Sequence, residues 1–138
     1  MNEEIRVLYV DDDHMSLRVR SERLEEYEQF EVVTATSVAD GQRRLTDHRI
    51  DCVLSDLHMD TRTGLTFLKT VRRVHPDLPF ILFSDDQSDD VIEEAFSAGV
   101  TDYIPKSICT ISYRLLVKRI ENAVEHYHSQ HKSDRFPS

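Results

Sequence analysis

Apolar residues in this chain fall into short β-rich runs, each followed by a longer stretch whose apolar positions recur at helical spacing. Ile5 to Val10 is the first run, and it stops at three aspartates, Asp11, Asp12 and Asp13. Residues 15–28 are charged, with Leu17 and Leu24 at helical spacing. Glu31 to Thr36 reads as a strand and Val38 to His48 as a helix. Cys52-Val53-Leu54-Ser55 is a short buried run ending at Asp56, and a loop leads on to Gly64. Leu65, Leu68 and Val71 mark one side of the next helix, whose exit is bracketed by Pro76 and Pro79. Phe80-Ile81-Leu82-Phe83 is another buried run, ending at Ser84. Ser88 is the expected N-cap of a helix carrying Ile92, Ala95 and Phe96, and Gly99 the residue that stops it. Asp102-Tyr103-Ile104 is a short strand. A last helix over 111–127 carries Leu116, Ile120 and Val124 as one apolar stripe. The polar segment from Ser129 to Ser138 is expected to fray, which sets one domain over 1–128 and a tail over 129–138.

Strands that alternate with helices call for a parallel sheet covered on both faces. The first, third and fourth runs are apolar throughout and belong in the centre; the second alternates and the fifth is short, which suits edges. The expected fold is therefore α/β and doubly wound: five parallel strands in the order 2-1-3-4-5, with five helices. The strand order reverses between strands one and three, and ligands bind at such a point, outside the carboxyl ends of the strands.

Composition narrows the function. At 138 residues, 39% hydrophobic and 31% charged, the chain suits one soluble domain. No apolar run approaches a membrane span, and the acidic start Met1-Asn2-Glu3-Glu4 is no signal peptide. A net charge of −9 argues against direct contact with nucleic acid. Cys52 and Cys109 fit no metal-ligand spacing, and a reducing cytoplasm is the expected compartment.

The chemistry gathers at the strand ends. Asp11 and Asp12 end the first strand, Asp56 the third and Ser84 the fourth, and Lys106 follows the fifth. Three carboxylates together repel one another unless a cation joins them, and Mg2+ takes such oxygen ligands. A carboxylate beside Mg2+ can attack phosphorus, while a hydroxyl and an ammonium stabilise charge on the transferred oxygens. Each residue also has a plainer reading. The three aspartates can cap the first helix, Asp56 can be a turn residue, Ser84 a loop hydroxyl, and a lone lysine a solvated charge. The joint placement favours phosphoryl transfer.

From Ile5 to His126 the chain resembles the receiver domains of two-component response regulators. The resemblance rests on Val7-Leu8-Tyr9-Val10-Asp11-Asp12-Asp13, Asp56-Leu57-His58-Met59 with Gly64 beyond, Phe80-Ile81-Leu82-Phe83-Ser84, and Ala98-Gly99-Val100-Thr101-Asp102-Tyr103-Ile104-Pro105-Lys106. It implies a flavodoxin-like fold and a phosphoacceptor at Asp56, loaded by a sensor histidine kinase or a phosphotransfer protein. It implies Mg2+ held by Asp12, Asp56 and the His58 backbone carbonyl, with Asp11 acting through water. Ser84 and Lys106 would contact the phosphoryl group, and Tyr103 would turn inward as Ser84 is drawn toward it. The domain would catalyse its own phosphorylation and dephosphorylation and could pair through its last two helices. Three residues depart from the family pattern: Asp60 and Ser107 stand where proline is usual, and Asp85 where a small residue is usual. Ser107 removes the cheap route to a cis bond after Lys106, so a trans bond is expected, with the lysine still reaching the carboxylates. Asp85 is expected near the mouth of the site, opposing small anionic donors.

Two other functions compete with this reading. An aspartate-based Mg2+-dependent phosphatase would use the same groups, and Asp11 and Asp13 have its D-x-D spacing, but His14-Met15 does not continue its signature. A degenerate receiver would act only as a binding module, against which stands the retention of every chemical group. His126, His128 and His131 match no usual ligand spacing and read as a solvated helix end.

Overall fold

The computed structural model describes residues 4–59 and 63–135, with side chains described through Gln130. Asp60, the His131 side chain and residues 136–138 lie outside the described residues.

The apolar runs form the sheet. β1 (Ile5–Val10), β2 (Phe30–Ala35), β3 (Cys52–Asp56), β4 (Phe80–Phe83) and β5 (Asp102–Ile104) pair in parallel in the order β2-β1-β3-β4-β5. β3 and β4 are buried at every residue, which is why their sequence shows no alternation. β2 is buried only at Phe30 and Ala35, as an edge strand should be. The strands separate two cores. Tyr9, Leu54, Ile81 and Phe83 face one side, and Leu8, Val10, Val53 and Leu82 the other, through the two-residue alternation of a strand.

α1 (His14–Glu25) and α6 (Tyr113–Arg135) cover the first face; α2 (Val38–Asp47), α3 (Gly64–Val74) and α4 (Asp89–Ser97) belong to the second. Leu116, Ile120 and Val124 of α6 are fully or nearly fully buried, each stabilising the fold by roughly 1.5–3 kcal/mol. The last expected helix is in fact two, so the described residues form six helices, not five. α5 (Ile108–Ile111) is one turn, and Ser112 then takes an extended conformation (φ −170°, ψ 126°). The Ser112 Oγ accepts the Arg114 N–H at 3.1 Å, a local bond that ends one helix and starts the next. α6 continues helical to Arg135, through much of the segment expected to fray.

One cap assignment changes as well. Ser88 holds the N-cap position of α4, but its side chain makes no cap bond. The Ser88 hydroxyl is turned to Asp86 instead, whose Oδ1 accepts from the Ser88 N–H (3.1 Å) and Oγ–H (2.8 Å). Phe96 is about half exposed, and Ala95 is the buried residue of that helix. Gly99 does stop α4, at φ +95°, where a side chain would be strained. Arg72 locks this end of the fold: Nε donates to Gly99 O (2.8 Å), Nη1 to His75 O (2.9 Å) and Leu78 O (2.7 Å), Nη2 to Thr101 Oγ1 (3.3 Å).

Candidate functional site

The parallel register puts the carboxyl ends of the strands on one edge, pairing Val10 with Ser55 and Asp56 with Phe83. Residues just beyond these ends therefore meet. One carboxylate oxygen from each of Asp11, Asp12 and Asp56 lies within 4.8 Å of the others. Asp11 is fully buried and Asp56 nearly so; Asp12 is half-buried. The Lys106 ammonium reaches in from beyond β5, 3.1 Å from Asp56 Oδ1 and 3.4 Å from Asp11 Oδ2.

Of the three aspartates, only Asp13 caps α1, accepting from the Met15 (3.1 Å) and Ser16 (3.2 Å) N–H groups. The capping reading thus holds for Asp13, while Asp11 and Asp12 gather with Asp56. Asp11 is oriented from both sides: Oδ1 accepts the Asp13 N–H at 2.9 Å, and Oδ2 accepts the Tyr9 hydroxyl at 3.2 Å. Tyr9 is itself steadied by Arg20, which lies over the Phe83 ring. Asp56 accepts its own neighbour's N–H, from Leu57, at 2.9 Å. Burial holds the Asp56 carboxyl above the usual carboxylate range; Asp11 adds to the rise, and Lys106 and the Leu57 N–H oppose it.

Gly64 closes the loop behind the carboxylate. Its N–H donates to Leu57 O at 2.7 Å, and a Cβ there would fall onto the Asp56 carbonyl oxygen and within 2.9 Å of Leu82 Cδ2. Only glycine permits that approach.

Ser84 is buried; its N–H donates to Ile104 O (3.0 Å) and its Oγ accepts the Asp86 N–H (3.1 Å). Tyr103 is also buried, with its hydroxyl donating to Asp86 O at 2.5 Å. The ring is inward in this structure. Asp86 also receives the exposed His58 ring, Nε2 to Oδ2 at 2.9 Å, so it touches the loop after Asp56, Ser84, Tyr103 and α4. Asp86 is not among the residues the sequence singles out. The Asp-x-Ser pattern of Asp86-Gln87-Ser88 was the available signal, because aspartate commonly bonds the backbone two residues on.

The peptide bonds of the described residues are all trans, Lys106–Ser107 included, and the lysine still reaches both carboxylates, as expected. The Asp85 carboxylate is engaged: Oδ1 accepts the Ser107 N–H at 2.9 Å. His128 lies 3.9 Å from Asp51, at the opposite end of β3 from Asp56.

With this fold and edge in view, comparison with known proteins is direct. The family profile of the response regulator receiver domain matches residues 7–121. The chain is 33% identical over 119 residues to the transcriptional regulatory protein GlrR of Escherichia coli, covering 86% of this chain and 26% of that protein. It is 30% identical over 124 residues to the DNA-binding transcriptional regulator NtrC of the same species, covering 90% of this chain and 26% of that protein. The chain thus spans about a quarter of the length of the curated relatives it matches. A CheY-like receiver domain from Methanospirillum hungatei superposes with a TM-score of 0.82 at 21% identity, covering 93% of this chain and 99% of that one. The beryllofluoride-activated NtrC4 receiver domain dimer superposes at 0.78 with 24% identity, covering 88% and 98%. This chain belongs to the response regulator receiver domain family, the receiving module of two-component systems.

Proposed function

We propose that the chain accepts a phosphoryl group on Asp56 from the phosphohistidine of a sensor histidine kinase or phosphotransfer protein. The observation that carries this reading is the convergence of Asp11, Asp12 and Asp56 around the Lys106 ammonium at the carboxyl edge of the sheet. An Asp56 carboxylate oxygen attacks phosphorus, the bond from phosphorus to the donor imidazole nitrogen breaks, and the imidazole leaves with that electron pair and takes up a proton. Lys106 meets charge on the transferred oxygens, and Ser84 adds its hydroxyl. The donor set is all oxygen and all carboxylate, which fits a hard divalent ion and not a soft one. Asp12, Asp56 and the His58 carbonyl would hold Mg2+, with Asp11 behind water; the ion supplies charge neutralisation for the incoming phosphoryl group.

Phosphorylation then biases a switch at Ser84 and Tyr103, read out on α4, β5 and α6. Pairing of two copies through α4 and α6 accompanies it; the NtrC4 receiver domain is a dimer in its beryllofluoride-activated form. The net charge of −9 opposes direct nucleic acid contact, and no helix among the described residues is long and apolar enough to cross a membrane, which fits a cytoplasmic role.

Phosphotransfer from candidate kinases, followed by mass spectrometry, tests the reading. Label is expected on Asp56, dependent on a divalent ion, and lost in Asp56→Ala. Equal labelling of that variant refutes the assignment. Beryllofluoride with Mg2+ should shift NMR signals of α4 and β5 as well as of the Asp56 loop; shifts confined to the loop would refute the switch.

A further inference from the structure

Asp85 and Ser107 are exposed loop residues from different βα connections, and they are hydrogen-bonded to each other. Asp85 directly follows Ser84, and Ser107 directly follows Lys106. The bond from the Ser107 N–H to Asp85 Oδ1, at 2.9 Å, therefore ties the backbone just after Lys106 to the side chain just after Ser84, the two groups that would contact a phosphoryl group. A proline at 107 would have no N–H to donate, and a small residue at 85 no carboxylate to accept it. The two departures match as donor and acceptor.

We propose that Asp85 is a positioning residue for Lys106, replacing with a hydrogen bond the backbone restraint that a proline at 107 would impose. Lys106 lies between Pro105, whose ring fixes its own φ, and Ser107, whose N–H is pinned. Ser107 is thereby held at φ −63° and ψ −13° as the residue that opens α5. A lysine stem is long and flexible, so its ammonium reaches one place reproducibly only if its backbone is fixed. Here it lies between Asp56 and Asp11, mostly shielded from solvent. Small misplacement of a reacting group costs rate steeply. On this account the Asp85 charge is directed to the loop, and its removal slows phosphorylation; repulsion of an incoming anion would make its removal speed phosphorylation. The inference rests on the phosphoacceptor reading above.

The test is the rate of phosphorylation by acetyl phosphate with Mg2+, for the unaltered chain, Asp85→Ala and Asp85→Asn. Asp85→Ala should be slower by about three- to tenfold, the scale of one ordinary hydrogen bond lost at an exposed site. Asp85→Asn keeps an acceptor oxygen and should stay within about twofold of the unaltered chain. In a Lys106→Ala background, Asp85→Ala should change nothing further, which a general structural role would not produce. A rate for Asp85→Ala equal to or above the unaltered chain, or the same loss without Lys106, overturns the proposal. The NMR signal of the Lys106 ammonium should also move in Asp85→Ala and hold in Asp85→Asn. If the unaltered chain takes up no phosphate, the phosphoacceptor reading falls, and this signal alone decides the positioning: an unmoved signal overturns it.

Discussion

Replacing Asp56 with asparagine should make the fold more stable at neutral pH, although it removes one partner of an ion pair. The substitution keeps the side-chain shape and the oxygen that accepts the Leu57 N–H, and deletes one charge. That charge is attracted to Lys106 at 3.1 Å and repelled by Asp11 and Asp12, whose nearest-set oxygens lie within 4.8 Å. With an effective dielectric near 20, the attraction is about 5 kcal/mol, and each repulsion at 4.8 Å about 3.5 kcal/mol. Asp12 is half-buried, so solvent screens its share. Burial of the Asp56 carboxylate adds a further cost to the charged form, in accord with its raised pKa. The balance favours the neutral side chain by about 1–2 kcal/mol. Urea unfolding at low salt without divalent ions measures it. The raised folded pKa means that the native wild-type chain binds a proton where the unfolded chain does not. Wild type therefore gains this term as pH falls through the folded pKa toward the unfolded value, and loses it as pH rises. The advantage of Asp56→Asn should be full at about pH 7 and shrink toward about pH 4, effects of the other acids being common to both proteins. Mg2+ should stabilise wild type more than the variant. A variant less stable than wild type at neutral pH, or an advantage that grows on acidification, would refute the electrostatic account.

Two further substitutions probe the scaffold. Gly64→Ala places a Cβ against the Asp56 carbonyl, so the loop must shift; a loss of about 1–3 kcal/mol is expected in the urea midpoint, with slower phosphate uptake. Arg72→Ala strips donors from Gly99 O, His75 O and Leu78 O, and should cost about 2–3 kcal/mol; Arg72→Lys should not restore it, because one ammonium cannot reproduce the guanidinium fork. Equal stability of the arginine and lysine forms would show that charge, not geometry, holds that end.

The sheet was legible because burial on both faces leaves a direct mark: Phe80 to Phe83 has no polar residue, and all four are fully buried. The site was legible because its residues sit at strand ends, where topology brings separate segments together. What escaped was decided by single local bonds. Ser112 splits the last helix through one capping bond to Arg114, and no periodicity announces that. The Ser88 hydroxyl donates to Asp86 instead of accepting from the first turn of α4, a choice between two local bonds that only geometry decides. The Asp85–Ser107 bond joins residues 22 apart in sequence, beyond the reach of any local pattern.

The inward Tyr103 ring bears on how much signal this domain can carry. In the proposed switch, the hydroxyl bond from Tyr103 to Asp86 O belongs to the inward form that phosphorylation favours. A net bond of about 1 kcal/mol multiplies the inward population roughly fivefold over an otherwise equal outward one. Phosphate can then raise that population only by the inverse of its resting fraction, however strongly it favours the inward form. The stronger that bond, the higher the basal output and the narrower the dynamic range expected of the proposed switch. Loosening the Tyr103 hydroxyl contact would lower the floor and widen the range without touching the phosphoacceptor.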